Sequence, residues 1–178
     1  MSEQQEKAKV SIEGWWWDEF YVRKNGKLVL DHVTDQRRNT RMDGAVTLMA
    51  ALFANAAGIS GVLYHAQGRG DAGWGASPPA VTTSDTTLFD EILRKLPDSV
   101  VFLDGSDNVV AGPTNIIRVR TTYIETEMAG ETIREQALFG GDATALAGSG
   151  YIVNTIRADG IGKSGAVQLI RNIKLIFS

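Results

Sequence analysis

The chain has 178 residues, of which 43% are hydrophobic and 22% charged, and its formal net charge is −3. This length predicts one domain with its own core, or one domain with a short attached segment. The absence of cysteine excludes disulfides, thiolate metal ligands and a cysteine nucleophile. The balanced, slightly acidic charge argues against specific nucleic-acid binding, which usually needs a basic face.

The first nine residues are polar and charged. We expect residues 1–9 to form an arm and residues 10–178 to form a single β-rich domain. The start lacks the apolar segment of a signal peptide, and no stretch approaches the roughly 20 apolar residues of a membrane span. The sequence therefore predicts a chain that is made in a cytoplasm and has no membrane span.

An Asn-Gly pair, Asn25-Gly26, lies between two β-patterned runs near the start of the domain. Both central residues of a tight hairpin turn need a positive φ, which Asn and Gly accept most readily. The sequence predicts a β-hairpin here. A strongly apolar run at residues 167–177 ends the chain, and we expect this last strand to be paired inside a sheet.

Three consecutive tryptophans, Trp15, Trp16 and Trp17, lie on the first strand of the predicted hairpin. Alternation along a strand places Trp15 and Trp17 on one face and Trp16 on the other. One of these faces can belong to the domain core. The other must be covered by another part of the chain or by another subunit, and both possibilities stay open.

Two segments have the apolar spacing of short amphipathic helices. The first has its apolar stripe between Met42 and Ala56, with Asn39 or Thr40 as its cap and Gly58 at its end. The second begins at Asp85 and stops at Pro97, and its apolar face is formed by Leu88, Phe89, Ile92, Leu93 and Leu96.

The rest of the chain has the alternation of short strands separated by turns. A loop rich in glycine and proline covers residues 68–79. Further strands are predicted at residues 59–67, 100–103, 109–110, 115–126, 151–157 and 167–177. Because strands and helices do not alternate regularly, the expected fold is mainly β: an antiparallel β-sandwich or barrel with two short α-helices packed on it.

No motif predicts a catalytic residue, a cofactor or a metal site. The G-x-G-x-x-G pattern at Gly68–Gly73 is followed by prolines instead of the helix that a dinucleotide site needs. Asp104, Asp107 and Asn108 favour a turn over a calcium site. Four glutamates leave a carboxylate hydrolase open as a minor hypothesis, although nothing recommends it and solvation explains them more simply: Glu125, Glu127, Glu131 and Glu135.

Several segments follow one another in an order that resembles a family of small structural domains in the tail-fibre, baseplate and neck-region proteins of tailed bacteriophages. The resemblance covers residues 14–178. The loop around Trp74 and the segment Asp142–Gly150 depart from the family pattern. The matching segments are Asn25-Gly26-Lys27-Leu28-Val29, Asn39–Gly44, Leu48–Leu52, Tyr64–Gly70, Thr87–Arg94 and Ile133–Phe139.

The resemblance implies a non-enzymatic virion protein that is made in the host cytoplasm and oligomerises around the tail, baseplate or neck. It would connect or cap larger components, with itself and other virion proteins as partners. An alternative is a carbohydrate-binding, host-recognition module of a tail fibre, because exposed tryptophans stack on sugar rings. The candidate interface residues are Trp15, Trp16, Trp17, Arg69 and Trp74.

Overall fold

The computed structural model describes residues 11–178, so the predicted arm at residues 1–9 lies outside the described residues. The described part contains eleven strands and one helix, α1 (Asp43–Phe53). The strands are β1 (Ile12–Lys24), β2 (Lys27–Val33), β3 (Arg37–Arg41), β4 (Ser60–Gly68), β5 (Glu91–Lys95), β6 (Ser99–Leu103), β7 (Val109–Val110), β8 (Ile116–Tyr123), β9 (Glu131–Gly141), β10 (Tyr151–Lys163) and β11 (Val167–Phe177).

All the strands belong to one antiparallel sheet, so the prediction of a mainly β, antiparallel fold is confirmed. The strand order is β5-β4-β9-β10-β3-β1-β11-β8-β6-β7, and β2 pairs with β1 outside this series. Within the described residues, the two end strands of this series, β5 and β7, do not pair with each other, so the sheet is open. A sandwich or a barrel is therefore not confirmed.

The predicted hairpin at Asn25-Gly26 is confirmed. The turn joins β1 to β2, with φ of 51° at Asn25 and 77° at Gly26. β1 pairs along its length with β11, and on its other side it pairs first with β3 and then with β2. The last strand, β11, thus lies between β1 and β8, as expected for a C-terminal apolar run.

The first predicted helix exists, but its predicted ends are wrong. Asn39 and Thr40 lie in β3, and Met42 occupies the N-cap position without a side-chain cap hydrogen bond. The helix packs closely against β10. A Cβ added at Gly44 would lie only 2.5 Å from the carbonyl oxygen of Ile152, so this approach requires glycine. The helix ends at Phe53, before Gly58.

The second predicted helix, from Asp85 to Pro97, is wrong. Residues 91–95 form strand β5, which pairs with β4. An apolar spacing over so few residues fits a strand as well as a helix, and the free edge of β4 supplies the hydrogen-bonding partners. The residues predicted to form one apolar face also differ in their exposure, since Leu88 is buried whereas Phe89 is 56% exposed.

The alternation predicted for residues 115–126 matches the burial of β8. Val119, Thr121 and Tyr123 of β8 are buried, whereas the residues between them are half-buried. On β11 the charged Arg171 interrupts the apolar face, and it is as buried as its neighbours. A charge at this depth needs a partner, and the polar residues around it form the centre of the molecule.

Candidate functional site

A buried ion pair joins neighbouring strands in the interior. Asp18 of β1 lies directly opposite Arg171 of β11. Arg171 Nε donates to Asp18 Oδ1 and Nη2 donates to Oδ2, both at 3.0 Å. Burial raises the pKa of the Asp18 carboxyl, while the charge and hydrogen bonds of Arg171 act against this rise. The guanidinium also faces the Trp16 ring, 5.7 Å from its centroid.

A chain of hydrogen bonds continues from this ion pair across the interior. Arg171 donates to the side-chain oxygen of Gln67 on β4. The Gln67 amide donates to the Tyr123 hydroxyl at 2.9 Å, and that hydroxyl donates to the backbone oxygen of His65 at 3.2 Å. These contacts connect β11, β4 and β8, although β4 and β8 are not neighbours in the sheet.

His65 forms the other end of the network. Its ring nitrogens lie 3.0 Å from Thr121 Oγ1 and 2.9 Å from Gln136 Oε1. Burial lowers the pKa of His65 to about 3, with a further contribution from the charge of Arg171. Burial likewise raises the pKa of Tyr123. Since both side chains are fully buried, a molecule in solvent cannot contact them, and their hydrogen bonds serve to join strands.

A second buried carboxylate fixes the long loop between β4 and β5. Glu135 of β9 is 2% exposed. Its Oε1 accepts hydrogen bonds from the backbone N–H of Gly70 at 3.2 Å, and of Phe89 and Asp90 at 2.9 Å each. One carboxylate thus holds both ends of the loop against the sheet. This loop begins with the glycine- and proline-rich segment that the sequence predicts.

Trp74, a candidate interface residue, is half-buried against its own chain. Its ring lies against Gly70, where an added Cβ would clash with it, and meets Phe89 edge-on at 5.2 Å. The guanidinium groups of Arg134 and Arg157 lie 5.5 and 5.2 Å from its centroid. Trp74 therefore anchors the loop to β9 and β10.

Arg69, the other candidate on this loop, forms two exposed ion pairs. It contacts Glu131 at 2.6 Å and Asp90 at 2.9 Å. These hydrogen bonds lower the pKa of Glu131 and raise that of Arg69. Arg69 lies near the start of the same loop as Trp74, and its described partners belong to β9 and to the end of that loop.

The three consecutive tryptophans do not share one environment. Trp16 is 3% exposed and belongs to the core, together with Ile12 and Ile173. Trp15 and Trp17 are half-buried on the opposite face of β1. The guanidinium of Arg38 lies 5.0 Å from the Trp15 ring centroid. Trp16 is therefore the core aromatic, and only its two neighbours offer surface to another molecule.

The four glutamates between positions 125 and 135 are divided among different partners. Glu125 pairs with Arg23 at 2.6 Å, and Glu127 pairs with Lys95 at 2.9 Å. Glu131 binds Arg69, while Glu135 accepts backbone hydrogen bonds as described above. Each carboxylate thus has its own structural contact, and the geometry adds nothing in favour of a hydrolase.

The Asp104 segment forms the predicted turn between β6 and β7. Asp104 Oδ1 accepts hydrogen bonds from the backbone N–H of Ser106 at 2.8 Å and of Asn108 at 2.9 Å. The hydrogen bonds from Asn108, with that from Ser106, lower the pKa of Asp104. Lys174 pairs with Asp107 at 3.0 Å. Within residues 11–178, no three acidic or histidine side chains group as a metal site would require.

Strand β2 is the most exposed strand of the described chain, and the sequence reasoning did not single it out. All seven of its residues are exposed, and it pairs only with β1. Its exposed apolar side chains are Leu28, Val29, Leu30 and Val33, at 38%, 39%, 47% and 49%. Unpaired backbone groups and apolar side chains together make such an edge a site for pairing with another strand.

A cleft of about 440 Å³ separates the β1–β2 hairpin from β10. It exists because β3 pairs with β10 at only two residues, Asn154 and Thr155. Phe20 and His32 are stacked at its wall, with ring centroids 4.3 Å apart. The remaining lining residues are Trp16, Thr34, Arg37, Ala158, Asp159, Gly160 and Ile161.

Comparison with known proteins found no match to this chain among family models, curated proteins or solved structures. No helix of the described residues is long and apolar enough to cross a membrane. The functional argument must therefore come from the residues and their surroundings.

Proposed function

We propose that this chain is a non-enzymatic structural protein of a tailed-bacteriophage particle. It oligomerises around the tail, baseplate or neck and connects or caps larger components there. The order of motifs along the sequence supports the assignment to a phage particle. The observation that carries the assembly role is the exposed apolar edge strand β2.

An exposed apolar edge is costly for a protein that works alone. Strand edges of soluble monomers are usually short, charged or covered, because they otherwise pair with other chains. In β2, four of the seven residues are large apolar side chains with more than a third of their surface exposed. Covering them in an assembly removes apolar surface from water, at about 25 cal/mol per Å².

The interior supports a building-block role, because buried polar contacts join distant parts of the sheet. The hydrogen bonds of Arg171 to Gln67 and of His65 to Thr121 connect β4 with β11 and β8, strands that are distant from it in the sheet. We infer from these contacts that the open sheet curves into a sandwich-like body, with β4 facing β8. A rigid body of this kind keeps the orientation of its exposed hairpin when neighbouring copies bind.

Sedimentation velocity over a wide concentration range tests self-assembly. We expect the sedimentation coefficient of the purified chain to rise with concentration as oligomers form. Mass spectrometry of particles purified from the phage that encodes the chain tests the location, and we expect several copies per particle. A chain that is absent from such particles and stays monomeric would overturn the proposal.

Carbohydrate recognition is a second candidate function, and the cleft beside the hairpin favours it. Aromatic walls with a few polar groups suit sugar rings, and a volume of about 440 Å³ lies within the range of small-molecule sites. Here Phe20 and His32 supply the aromatic wall, and Arg37 and Asp159 supply polar groups at the exposed rim.

A glycan array probed with the soluble chain tests this second function. Arg37→Ala and Asp159→Ala should each abolish a genuine glycan signal, since these side chains would hydrogen-bond the sugar. Lys174→Ala, which changes a charge that pairs with Asp107 instead of lining the cleft, is the matched control. A signal unchanged by both cleft variants would exclude this site.

A further inference from the structure

We infer that β2 pairs with β2 of a second copy of this chain, antiparallel and about a two-fold axis at Val29. The inference rests on the proposed self-assembly and specifies its contact. The resulting sheet would contain, in order, β1 and β2 of one copy followed by β2 and β1 of the second copy. Three independent features of the hairpin carry it: the direction of the backbone groups, the apolar pairs and the charges.

The hydrogen-bonding pattern of the hairpin leaves a defined set of backbone groups free. In a two-residue hairpin the residues that flank the turn, Lys24 and Lys27, exchange both backbone hydrogen bonds, and bonded pairs then alternate. Val29 therefore bonds to β1, whereas the N–H and C=O of Leu28 and Leu30 point away from it. These outward groups are the ones that a further strand can bind.

A two-fold axis at Val29 matches the outward groups of the two copies. Leu28 then lies opposite Leu30 of the second copy, and both residues have outward backbone groups, so they exchange two hydrogen bonds. By symmetry the same pair forms twice. Val29 lies opposite its own counterpart, so the facing side chains at positions 28–30 are all apolar, as cross-strand pairs prefer.

The charges at the ends of β2 are complementary in this same register. Lys24 and Lys27 lie directly opposite each other across the hairpin, and like charges in this arrangement are unfavourable. The two-fold pairing brings Asp31 of the second copy opposite Lys27. In the single chain, the carboxylate of Asp31 is exposed and contacts His32 at 2.9 Å.

An axis one residue further along fits worse. With the axis at Leu30, Asp31 would lie opposite the apolar Val29, and Leu28 would lie opposite His32. The pairing of β1 with β2 contains a β-bulge, where the register shifts between Phe20 and Tyr21. Beyond the bulge, the alternation of bonded and non-bonded pairs makes the backbone of His32 bond to Phe20 of β1, so it does not point outward. Of these two axes, the one at Val29 satisfies both hydrogen bonding and charge.

A cysteine at the two-fold axis tests the contact directly, because the natural sequence has none. Directly opposite residues of a non-hydrogen-bonded pair have Cα atoms about 4.5 Å apart, within the range that a disulfide spans. In Val29→Cys, two thiols from two copies form one disulfide, and oxidised glutathione accepts their two electrons and two protons. Val109→Cys, exposed on the edge strand β7, is the matched control for random collisions.

We expect Val29→Cys to form the disulfide-linked dimer at least about tenfold faster than Val109→Cys, since pairing raises the effective thiol concentration. Equal rates for the two variants would overturn the two-fold contact. If the wild-type chain still oligomerises in sedimentation while the rates are equal, only this contact is rejected. A wild-type chain that remains monomeric, with equal rates, rejects the proposed self-assembly as well.

A charge exchange provides a second test that simple misfolding cannot imitate. Lys27→Glu and Asp31→Lys should each weaken association by about fivefold, because each places like charges opposite each other twice in the dimer. The double variant restores the opposite charges and should recover most of the association. A double variant as weak as the single ones, with unchanged urea midpoints, would overturn the assigned register.

Discussion

The two halves of β1 lie in different surroundings. From Ile12 to Phe20 every second residue of the strand is buried, and the strand carries Trp16 and Asp18 into the core. From Tyr21 to Lys24 it leaves the core, and its partner β2 is exposed on both faces. One strand thus enters the core at one end and, at the other, supports an exposed edge strand that we propose as a contact surface.

The difference arises from what covers each half. The first half of β1 lies between β11 and β3, and the polar network closes over its inner face. The second half is flanked by β11 and by β2, and β2 has no further strand beside it. Substitutions in the first half should therefore affect unfolding, and substitutions in β2 should affect association.

The largest effect is expected from Asp18→Ala. Removing one partner of a buried ion pair leaves Arg171 charged and uncompensated, which costs about 3–5 kcal/mol of unfolding free energy. The exposed pair between Arg38 and Glu13 provides the control, and Arg38→Ala should cost no more than about 1 kcal/mol. Urea unfolding at pH 7 measures both. Equal losses in the two variants would contradict the central role of the network.

Trp16→Ala should have an effect of comparable size. Truncating a buried Trp to alanine costs about 3–5 kcal/mol through lost burial and the cavity that remains. Trp15→Ala, on the other face of the same strand, should cost about 1 kcal/mol or less. Thermal and urea unfolding of the two variants measures this difference in stability. A larger loss for Trp15→Ala would reverse the assignment of the core face.

Glu135→Ala should loosen the loop between β4 and β5. Three backbone N–H groups lose their acceptor. Each unsatisfied buried donor lowers the unfolding free energy by about 1–3 kcal/mol, and less where water replaces the lost acceptor. We expect a net loss of about 2 kcal/mol and faster proteolysis within residues 69–90. The control is Glu131→Ala, which removes an exposed ion pair. If both variants resist protease equally, the loop does not depend on Glu135.

A smaller, pH-dependent effect is expected from His65. Its pKa is about 3 when folded against an ordinary value near 6.5, so between these values the unfolded chain binds a proton that the folded chain does not. The unfolding free energy therefore falls as the pH falls below 6.5, by about 1.4 kcal/mol per pH unit. His65→Gln should remove this slope.

Urea unfolding of the wild type and of His65→Gln at pH 7 and pH 5 measures that difference. The raised pKa of Asp18 acts in the opposite direction, because the folded chain then binds its proton first and gains stability as the pH falls. Both proteins contain Asp18, so its contribution cancels in the comparison. Parallel pH profiles would show that His65 does not carry the acid sensitivity.

Local patterns were enough to predict part of the fold. Asn25-Gly26 specifies its turn through the φ values that it accepts, and the alternation in β8 specifies which of its residues are buried. In β11 five consecutive residues, 169–173, are buried, which alternation does not predict. The segment at residues 85–97 was wrongly predicted as a helix, because its apolar spacing suits both structures. Pairing with β4, a non-local interaction, decided between them.

Neither the buried ion pair nor the exposed edge at β2 could be predicted, because both depend on strand order. Arg171 was visible as an interruption in an apolar face, but its partner Asp18 lies 153 residues earlier. Similarly, Leu28-Val29-Leu30 is an ordinary apolar run in the sequence. Its exposure follows from the position of β2 outside the main series of strands, which no local pattern specifies.

Hydrogen exchange of the β2 amides at increasing protein concentration tests the central claim most directly. The amides of Leu28 and Leu30 have no acceptor in the single chain and should become protected as copies associate, whereas the Val29 amide, bonded to β1, should change little. Exchange at Leu28 and Leu30 that stays fast while the protein oligomerises would contradict the account.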